Sequence, residues 1–210
     1  MDSLMLSRVQ FGVSVGFHYL FPVTTLGLSL LVMLFETFSL LGRGASCRQA
    51  SIFLTRVLGL VFTVGVATGL ALPFQIGANW SRFSAFSGPV FGPMLSFEAT
   101  LAFALESAFL VVLLFGRNRI SPVGLWFSAA CVFIGSHLSA FLIVSANSWM
   151  QTPAGFAMKD GGIVLTSLWS AVFNPSTLIR FAHVVTAAWL TGAFVACAFA
   201  AHFAAGRKHT

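Results

Sequence analysis

The sequence predicts an all-α, polytopic membrane helix bundle with five transmembrane helices. Of its 210 residues, 58% are hydrophobic and only 8% are charged, and the mean hydropathy is +0.93. So few charged residues cannot cover the surface of a soluble domain, and a disordered chain would be far less hydrophobic. Five segments also reach the length of about 20 apolar residues that a span needs. They are residues 11–41, 52–72, 95–115, 122–146 and 177–205.

The basic residues predict how these spans are oriented. They are scattered singly along the chain, which argues against a nucleic-acid partner. One set of connections carries more of them than the other, and the positive-inside rule places that set in the cytoplasm. It comprises Arg43, Arg48, Arg56, Arg117, Arg119, Arg207 and Lys208, against Arg8, Arg82, Lys159 and Arg180 in the other set. We therefore expect the amino terminus outside and the carboxyl terminus in the cytoplasm.

Short local signals predict where helices begin and where they pack. Ser121-Pro122 and Asn174-Pro175 each place a capping side chain before a proline at the first helical position. The pairs Gly12/Gly16 and Gly65/Gly69 have the small-xxx-small spacing typical of close helix packing. The amino-terminal apolar run is about twice as long as that of a signal peptide, so it is predicted to be a retained span. No repeat or soluble domain is visible, and we treat residues 1–210 as one transmembrane domain.

Two connections on the outer side are predicted to be ordered loops at the membrane interface. Residues 74–94 and 147–176 are rich in Gly, Pro, Ser and Trp, and Trp80 and Trp149 are expected to anchor them at the interface. Within the second loop, residues 162–173 are apolar but too short to span a bilayer. They are predicted to form an interfacial segment that lies flat or re-enters.

Ionisable side chains inside the spans are the candidate functional residues, since each costs about 2.5–3.5 kcal/mol at mid-bilayer on insertion scales. They are Glu36, Glu98, Glu106, His18, His137, His183 and His202. Counting 1.5 Å per residue from the helix entries puts His18 and His183 about 10 Å below the outer face, and His137 about 13 Å below it. Glu98 lies nearer that face. We interpret these three histidines and Glu98 as one constellation.

Zinc and heme are the two metal groups that such a constellation could hold. Zinc takes His and Glu ligands, but each histidine lies on a different helix and no HxxxH pair exists. A strongly apolar bundle also suits a flat apolar macrocycle better. We therefore favour heme for His18 and His183, with a buried hydrogen-bonded histidine as the alternative. For His137 both interpretations stay equally open.

Glu98 and Glu106 are candidates for a proton path. They lie eight residues apart on span 3, about 12 Å along roughly one side of the helix, and intramembrane carboxylates take part in proton relays. The alternative is a carboxylate satisfied by a hydrogen bond from Ser107, Ser139 or a histidine. Glu36, near the inner end of span 1, is expected to snorkel or to pair with Arg43.

Five motifs resemble subunit I of the cytochrome bd quinol oxidases, over the amino-terminal half of that subunit. They are LSRVQFGVSVGFHYLFP, GVATGLALPFQIGANWSRFSAF, FEATLAFALESAF, GSHLSAFLIVSANSWMQTP and NPSTLIRFAHVVTA. The resemblance implies that His18 is an axial ligand of a heme at the oxygen-reducing site and His183 one of the low-spin heme b. It also implies that four residues lie near the active-site hemes or along the proton route, namely Glu98, Glu106, Ser107 and Ser139.

The same resemblance implies cofactors and partners. It implies one or more hemes b, with heme d and a quinone as further candidates, and quinol oxidation as the source of electrons. The expected setting is the bacterial cytoplasmic (inner) membrane, in a complex with other membrane subunits. The sequence also departs from the family pattern, because Pro73 and Pro89 replace carboxylates and His137 replaces an asparagine. The quinol-binding loop and two further heme ligands are expected to be absent after the fifth span.

Three hypotheses follow for function. The first is a heme-binding transmembrane electron-transfer subunit of a respiratory oxidoreductase complex, which is not a complete enzyme alone. Its low-spin heme needs a second axial ligand, from His137, from Met150 or, as we favour, from another chain. The second is one half of a split quinol:oxygen oxidase. The third is a scaffold subunit without cofactors.

Overall fold

The computed structural model describes residues 2–42 and 44–206 of the chain. Three basic residues used above for orientation, Arg43, Arg207 and Lys208, lie outside the described residues. The elements in chain order are α1 (Ser3–Leu40), α2 (Ala45–Asn79), α3 (Ser81–Phe97), a π-helical turn (Glu98–Ala102), α4 (Phe103–Phe115), α5 (Pro122–Trp149), β1 (Phe156–Lys159), β2 (Gly162–Leu165), α6 (Leu168–Val172) and α7 (Thr177–Gly206).

Five helical stretches are long and apolar enough to cross a membrane, which confirms the predicted all-α bundle. Four are α1, α2, α5 and α7, and the fifth is the continuous stretch Ser81–Phe115, made of α3, the π turn and α4. Each predicted span lies almost wholly within one of these stretches. The helices are longer because their ends continue beyond the apolar residues that a bilayer core requires.

The bundle has two ends with different chemistry. The α1–α2 and α4–α5 connections share one end with Arg48, Arg117 and Arg119, and we call it the arginine end. The β1–β2 hairpin and α6 lie at the opposite end, called here the hairpin end. The sidedness of these two ends in a membrane stays a prediction from the distribution of basic residues.

The predicted loop at residues 74–94 is wrong, because the segment is almost entirely helical. Helix α2 extends into it and α3 occupies most of the rest, with Pro89 and Pro93 inside α3. Proline removes one helical hydrogen bond and usually ends or kinks a helix. Here Val90 and Met94, one turn apart on α3, are fully buried in an apolar cluster with α5 and the hairpin. This burial stabilises the helix despite its prolines.

The prediction of one interfacial segment at residues 162–173 is wrong. These apolar residues divide between β2 and α6. Strand β2 pairs with β1 in an antiparallel hairpin. Asp160 and Gly161 form the turn, with φ of 51° and 80°, the left-handed geometry that a two-residue Asp-Gly hairpin turn requires. The Asp-Gly pair was therefore a usable sequence signal for this hairpin.

One of the two predicted helix starts is confirmed. Ser121 Oγ accepts the backbone N–H of Gly124 at 3.2 Å, with proline at the start of α5. Asn174, in contrast, is buried and does not cap α7 with its side chain. Its Nδ2 donates to the backbone carbonyls of Ser145 and Ala171 at 3.1 and 3.0 Å. Asn174 thus fastens α5 to α6, and α7 begins three residues later.

The two predicted tryptophan anchors differ in the structure. Trp80 is half-buried at the break between α2 and α3. Trp149 is only 5% exposed, and its Nε1 donates to the carbonyl of Ala154 at 2.9 Å. Trp149 therefore belongs to the packed interior at the hairpin end, and the prediction of an interfacial anchor is wrong for it.

Helices α1 and α7 run parallel and touch through two glycines. A Cβ atom on Gly27 would lie 2.6 Å from Gly192 Cα, and one on Gly192 would lie 2.5 Å from Gly27 Cα. No real Cβ fits at such distances, so the two backbones are in direct contact. The predicted packing pair Gly12/Gly16 has no neighbour within 4 Å of an added Cβ, so that prediction is wrong within the described residues.

We predict that Gly27→Val destabilises the bundle and that Gly16→Val does not. The added methyl groups at position 27 must push α7 away, and overpacking of this kind typically costs about 1–3 kcal/mol. Thermal unfolding in detergent should show a Tm lower by about 2–12 °C. Equal Tm values for the two variants would contradict the glycine contact.

Candidate functional site

His18 lies on α1 and its imidazole is held by α2. His18 Nδ1 is 3.0 Å from Thr68 Oγ1. The Thr68 hydroxyl donates its own proton to the backbone carbonyls of Val64 and Gly65, at 2.9 and 3.1 Å. When the Thr68 hydroxyl donates to one of these carbonyls, its oxygen accepts from His18 Nδ1–H. From this arrangement we infer the tautomer with the proton on Nδ1, in which Nε2 carries the lone pair.

Two glycines of α2 make room for this arrangement. A Cβ on Gly69 would lie 2.9 Å from His18 Cε1, and one on Gly65 would lie 3.1 Å from Phe21 Cβ. Larger residues would force α1 away or turn the imidazole. The predicted close packing at Gly65/Gly69 is thereby confirmed, and it is this packing that half-buries His18.

His183 lies on α7, is exposed, and has no hydrogen bond to any described residue. His18 and His183 each precede the Gly27–Gly192 contact by nine residues, so on parallel helices they lie at nearly the same depth. Nine residues are two and a half helical turns. Each imidazole therefore faces away from the α1–α7 contact, and the two cannot grip a single ligand between them.

His137 lies on α5 and both of its ring nitrogens have partners. Nδ1 is 2.7 Å from the carbonyl oxygen of Phe133 and donates to it. Nε2 accepts the indole N–H of Trp189 on α7 at 3.0 Å. This is the hydrogen-bonded histidine that the sequence left as one alternative. A metal bond at Nε2 would require Trp189 to move away.

The predicted constellation is not one coordination sphere. Trp189 follows His183 by six residues, which puts His137 about 9 Å deeper toward the arginine end than His183. No hydrogen bond joins any two of its four members in residues 2–42 and 44–206. In the same part of the chain, no group of three or more His, Cys, Asp or Glu side chains could hold a metal ion.

Glu98 stands at the first position of the π turn and faces α5. It is half-buried, and its Oε1 accepts a hydrogen bond from Ser139 Oγ at 2.7 Å. Ser139 is one of the partners that the sequence proposed. Ser107, another proposed partner, donates to the backbone carbonyls of Phe103 and Ala104 instead.

Glu106 is the most deeply buried carboxylate of this region. It is 5% exposed, and its Oε1 has no hydrogen-bond partner among the described atoms. Its backbone lies against Gly135 of α5, where an added Cβ would be 2.9 Å from Glu106 N. A buried carboxylate oxygen without a partner is uncommon and calls for a functional explanation.

The π turn puts both carboxylates on the same side of this helical stretch. A π turn holds one residue more than an α turn, so the eight residues from Glu98 to Glu106 cover nearly two full turns. Both residues consequently meet α5, Glu98 at Ser139 and Glu106 at Gly135. The eight-residue spacing predicted only rough alignment, and no sequence signal that we recognised indicates the π turn.

Among the described residues, Glu36 pairs with Arg117 of the α4–α5 connection. It is 5% exposed, and its Oε1 is 2.7 Å from Nη1 of Arg117, which follows α4. The predicted partner, Arg43, lies outside the described residues. Ser51 on α2 also donates to Glu36, so α1, α2 and the α4–α5 connection are joined at one buried carboxylate.

The chain is similar to proteins of known family. Residues 6–210 match the family described as Cytochrome bd terminal oxidase subunit I. The chain is 38% identical over 204 residues to cytochrome bd-II ubiquinol oxidase subunit 1 of Escherichia coli (strain K12), covering 96% of this chain and 40% of that one. It is also 38% identical over 197 residues to cytochrome bd ubiquinol oxidase subunit 1 of Bacillus subtilis (strain 168), covering 92% and 42%.

The fold has a similar solved relative. The structure of bd oxidase from Geobacillus thermodenitrificans superposes with a TM-score of 0.87 at 29% identity, covering 92% of this chain and 45% of that chain. The chain therefore spans less than half the length of these relatives.

We predict that Thr68→Val releases the tautomer of His18, whereas Thr68→Ser preserves it. Valine keeps the shape of threonine but has no oxygen to accept from Nδ1. NMR of the ¹⁵N-histidine-labelled, cofactor-free chain should show His18 protonated at Nδ1 in the native chain and in Thr68→Ser only. Thr63→Val, five residues away on α2 and bonded only to its own helix, is the matched control. An unchanged His18 spectrum in Thr68→Val would refute the assignment.

Proposed function

Because this chain belongs to the cytochrome bd terminal oxidase subunit I family, we propose that it is a heme-binding, electron-transferring transmembrane subunit of a respiratory oxidoreductase complex in the bacterial cytoplasmic membrane. One observation carries the proposal. Two histidines lie at the same depth on adjacent parallel helices, and each has a ring nitrogen that no described residue engages. Because they face in opposite directions, each would hold a separate heme.

The surroundings of His18 suit a histidine that would hold a heme iron. Histidines that bind a metal usually donate the other ring N–H to a fixed acceptor, which orients the ring. Thr68 Oγ1, 3.0 Å from Nδ1, would be that acceptor, with its own proton donated to the Val64 carbonyl of α2. His18 thus offers Nε2 in a fixed direction, without a rearrangement of the protein.

The surroundings of His183 fit a flat ligand that lies outside the described helices. Its exposed neighbours Ala182, Thr186 and Ala187 are small, so a macrocycle could approach α7 closely. Farther along α7, Phe194 is 67% exposed and Leu190 is 58% exposed. Such a surface suits the apolar body of a heme, a lipid or another subunit.

Heme at these histidines would supply one-electron redox chemistry, with a potential set by its ligands and surroundings. The residues of this chain would hold the iron, exclude water and carry protons. We propose heme b at His183 and heme b or heme d at His18. A further residue to hold the iron would come from another chain, because His137 is engaged by Trp189.

We propose a proton path along the α5 side of Glu98 and Glu106. Ser139 holds the half-buried Glu98, and Glu106 lies deeper, with one oxygen unpaired in an apolar region. A carboxyl group in this position can accept a proton from Glu98 through water and release it toward a cofactor. The hydroxyl of Ser107 donates to its own helix, so Ser107 would contribute only indirectly to this proton path.

A second candidate function is one half of a split quinol:oxygen oxidase. It is favoured by the two relatives at 38% identity, which are both subunits of ubiquinol oxidases. A separate polypeptide would then complete the quinol and oxygen sites. Its copurification, together with quinol-driven oxygen uptake, would distinguish this function from electron transfer alone.

We predict that the purified complex gives a heme signal in a reduced-minus-oxidised visible spectrum with pyridine hemochrome quantification. His18→Ala and His183→Ala should each remove a different heme, because the two residues face different sides. His202 is an exposed histidine near the arginine end of α7, and His202→Ala should remove no heme. A native complex in which no heme belongs to this chain would instead support the cofactor-free scaffold.

We also predict that Glu106→Gln leaves the heme spectrum unchanged and slows quinol-driven turnover. The amide keeps the shape of the side chain but cannot exchange a proton. Loss of a positioned acid or base typically costs about 10²-fold or more in rate. The matched control is Ser128→Ala, a buried serine of α5 that donates only to its own helix. If Glu106→Gln and the control turn over equally fast, Glu106 is not on the proton path.

A further inference from the structure

A cavity at the arginine end is lined by three cationic side chains that the proposed heme and proton sites do not use. Its volume is about 230 Å³, and it opens between the start of α2 and the end of α4. We propose that this cavity binds the phosphate of an anionic phospholipid, with an acyl chain along the adjoining apolar surface. The residues that line it are Arg48, Ile52, Thr55, Arg56, Leu113, Leu114, Phe115, Arg117 and Asn118.

Arg117 forms a rigid inner wall of the cavity. Its Nη1 donates to Glu36 at 2.7 Å, and its Nη2 donates to Ser51 at 3.0 Å and to Thr55 at 2.9 Å. A guanidinium group has five N–H donors, so two of them remain for a further acceptor. The ion pair with Glu36 fixes the guanidinium in place before any ligand arrives.

Arg48 and Arg56 add two cations that nothing in the described chain neutralises. They lie on one side of α2 with Ile52 between them, at a spacing of four residues. Both are exposed, and neither forms an ion pair or hydrogen bond with a described residue. Such long side chains place their charge at the edge of the membrane and their stems along apolar surface.

The chain itself has no acid to offer these arginines. It contains only five Asp and Glu residues. Four of them lie elsewhere, and the one at the arginine end, Glu36, is already bound by Arg117. The acids are Asp2, Glu36, Glu98, Glu106 and Asp160. An anion in the cavity must therefore come from outside the described chain.

The order of charge and apolar surface along α2 favours a lipid over a free anion or an acidic protein segment. Leu60, one turn beyond Arg56 toward the membrane interior, is 72% exposed, and Phe115 at the cavity wall is 75% exposed. A phospholipid has the same order, with a phosphate at the membrane edge and an acyl chain beyond it. Basic pockets between transmembrane helices are known to bind anionic lipid headgroups.

Lipid titration followed by native mass spectrometry tests the proposal. The chain, with the subunits that copurify with it, is exchanged into detergent and titrated with phosphatidylglycerol or with phosphatidylcholine of the same acyl chains. We expect phosphatidylglycerol to bind at least tenfold more tightly. Each arginine contributes about fivefold, so Arg48→Gln/Arg56→Gln should weaken phosphatidylglycerol binding about 30-fold and leave phosphatidylcholine binding unchanged.

Two controls make the result specific to this cavity. Arg8→Gln/Lys159→Gln removes the same charge at the hairpin end and should keep the native preference. Arg48→Lys/Arg56→Lys keeps the charge and should retain most of the preference for phosphatidylglycerol. The comparison of the two lipids on the native chain needs no variant, so a folding defect in the neutral variant does not decide the outcome.

Four outcomes would overturn the proposal. The first is equal affinity of the native chain for the two lipids, and the second is a preference that survives Arg48→Gln/Arg56→Gln. The third is full displacement of phosphatidylglycerol by millimolar inorganic phosphate, which would assign the cavity to a free anion. The fourth is phosphatidylglycerol binding only after a copurified subunit dissociates, which would assign the cavity to that subunit.

Discussion

A polar group inside a bilayer has no water to bond with, and this constraint organises the whole bundle. Hydroxyls on the spans, such as those of Thr55 and Ser136, mostly donate to their own helix one turn back. Glu36 is neutralised by Arg117, and Glu98 is held by Ser139. A polar group that has such a partner needs no functional explanation for its place inside the bundle.

Several polar side chains have an atom without a partner among the described residues, and the ionisable ones among them are the candidates for function. His18 offers an unused Nε2, His183 has no described partner, and Glu106 keeps a buried oxygen unpaired. Leaving such groups unsatisfied has a free-energy cost in an apolar medium, which ligands or protons can offset. The heme and proton proposals rest on these three residues, and the lipid proposal rests on unpaired charges at the membrane edge.

Backbone contacts decide where these groups meet. The touching glycines of α1 and α7 set the relative depth of the two helices, which brings His18 and His183 to one level. The π turn rotates Glu98 into line with Glu106 on the side that faces α5. Both devices act through the backbone, and because neither changes the hydropathy pattern, the sequence predicted neither.

The sequence by itself determined that the chain is a membrane protein with five spans, and which ionisable residues lie inside them. These properties depend on composition and segment length, since the bilayer fixes the length of every span. It also determined the start of α5, where Ser121 and its proline act within a few residues. The prolines of α3 favoured the wrong prediction of a loop, because a proline acts only on its own neighbourhood. The helix is stabilised instead by the burial of Val90 and Met94 against residues that are distant in the sequence. Only the tertiary structure decided that His137 is engaged by Trp189, that Arg117 reaches Glu36 and that His18 and His183 face apart, because each depends on the rotation and register of one helix against another.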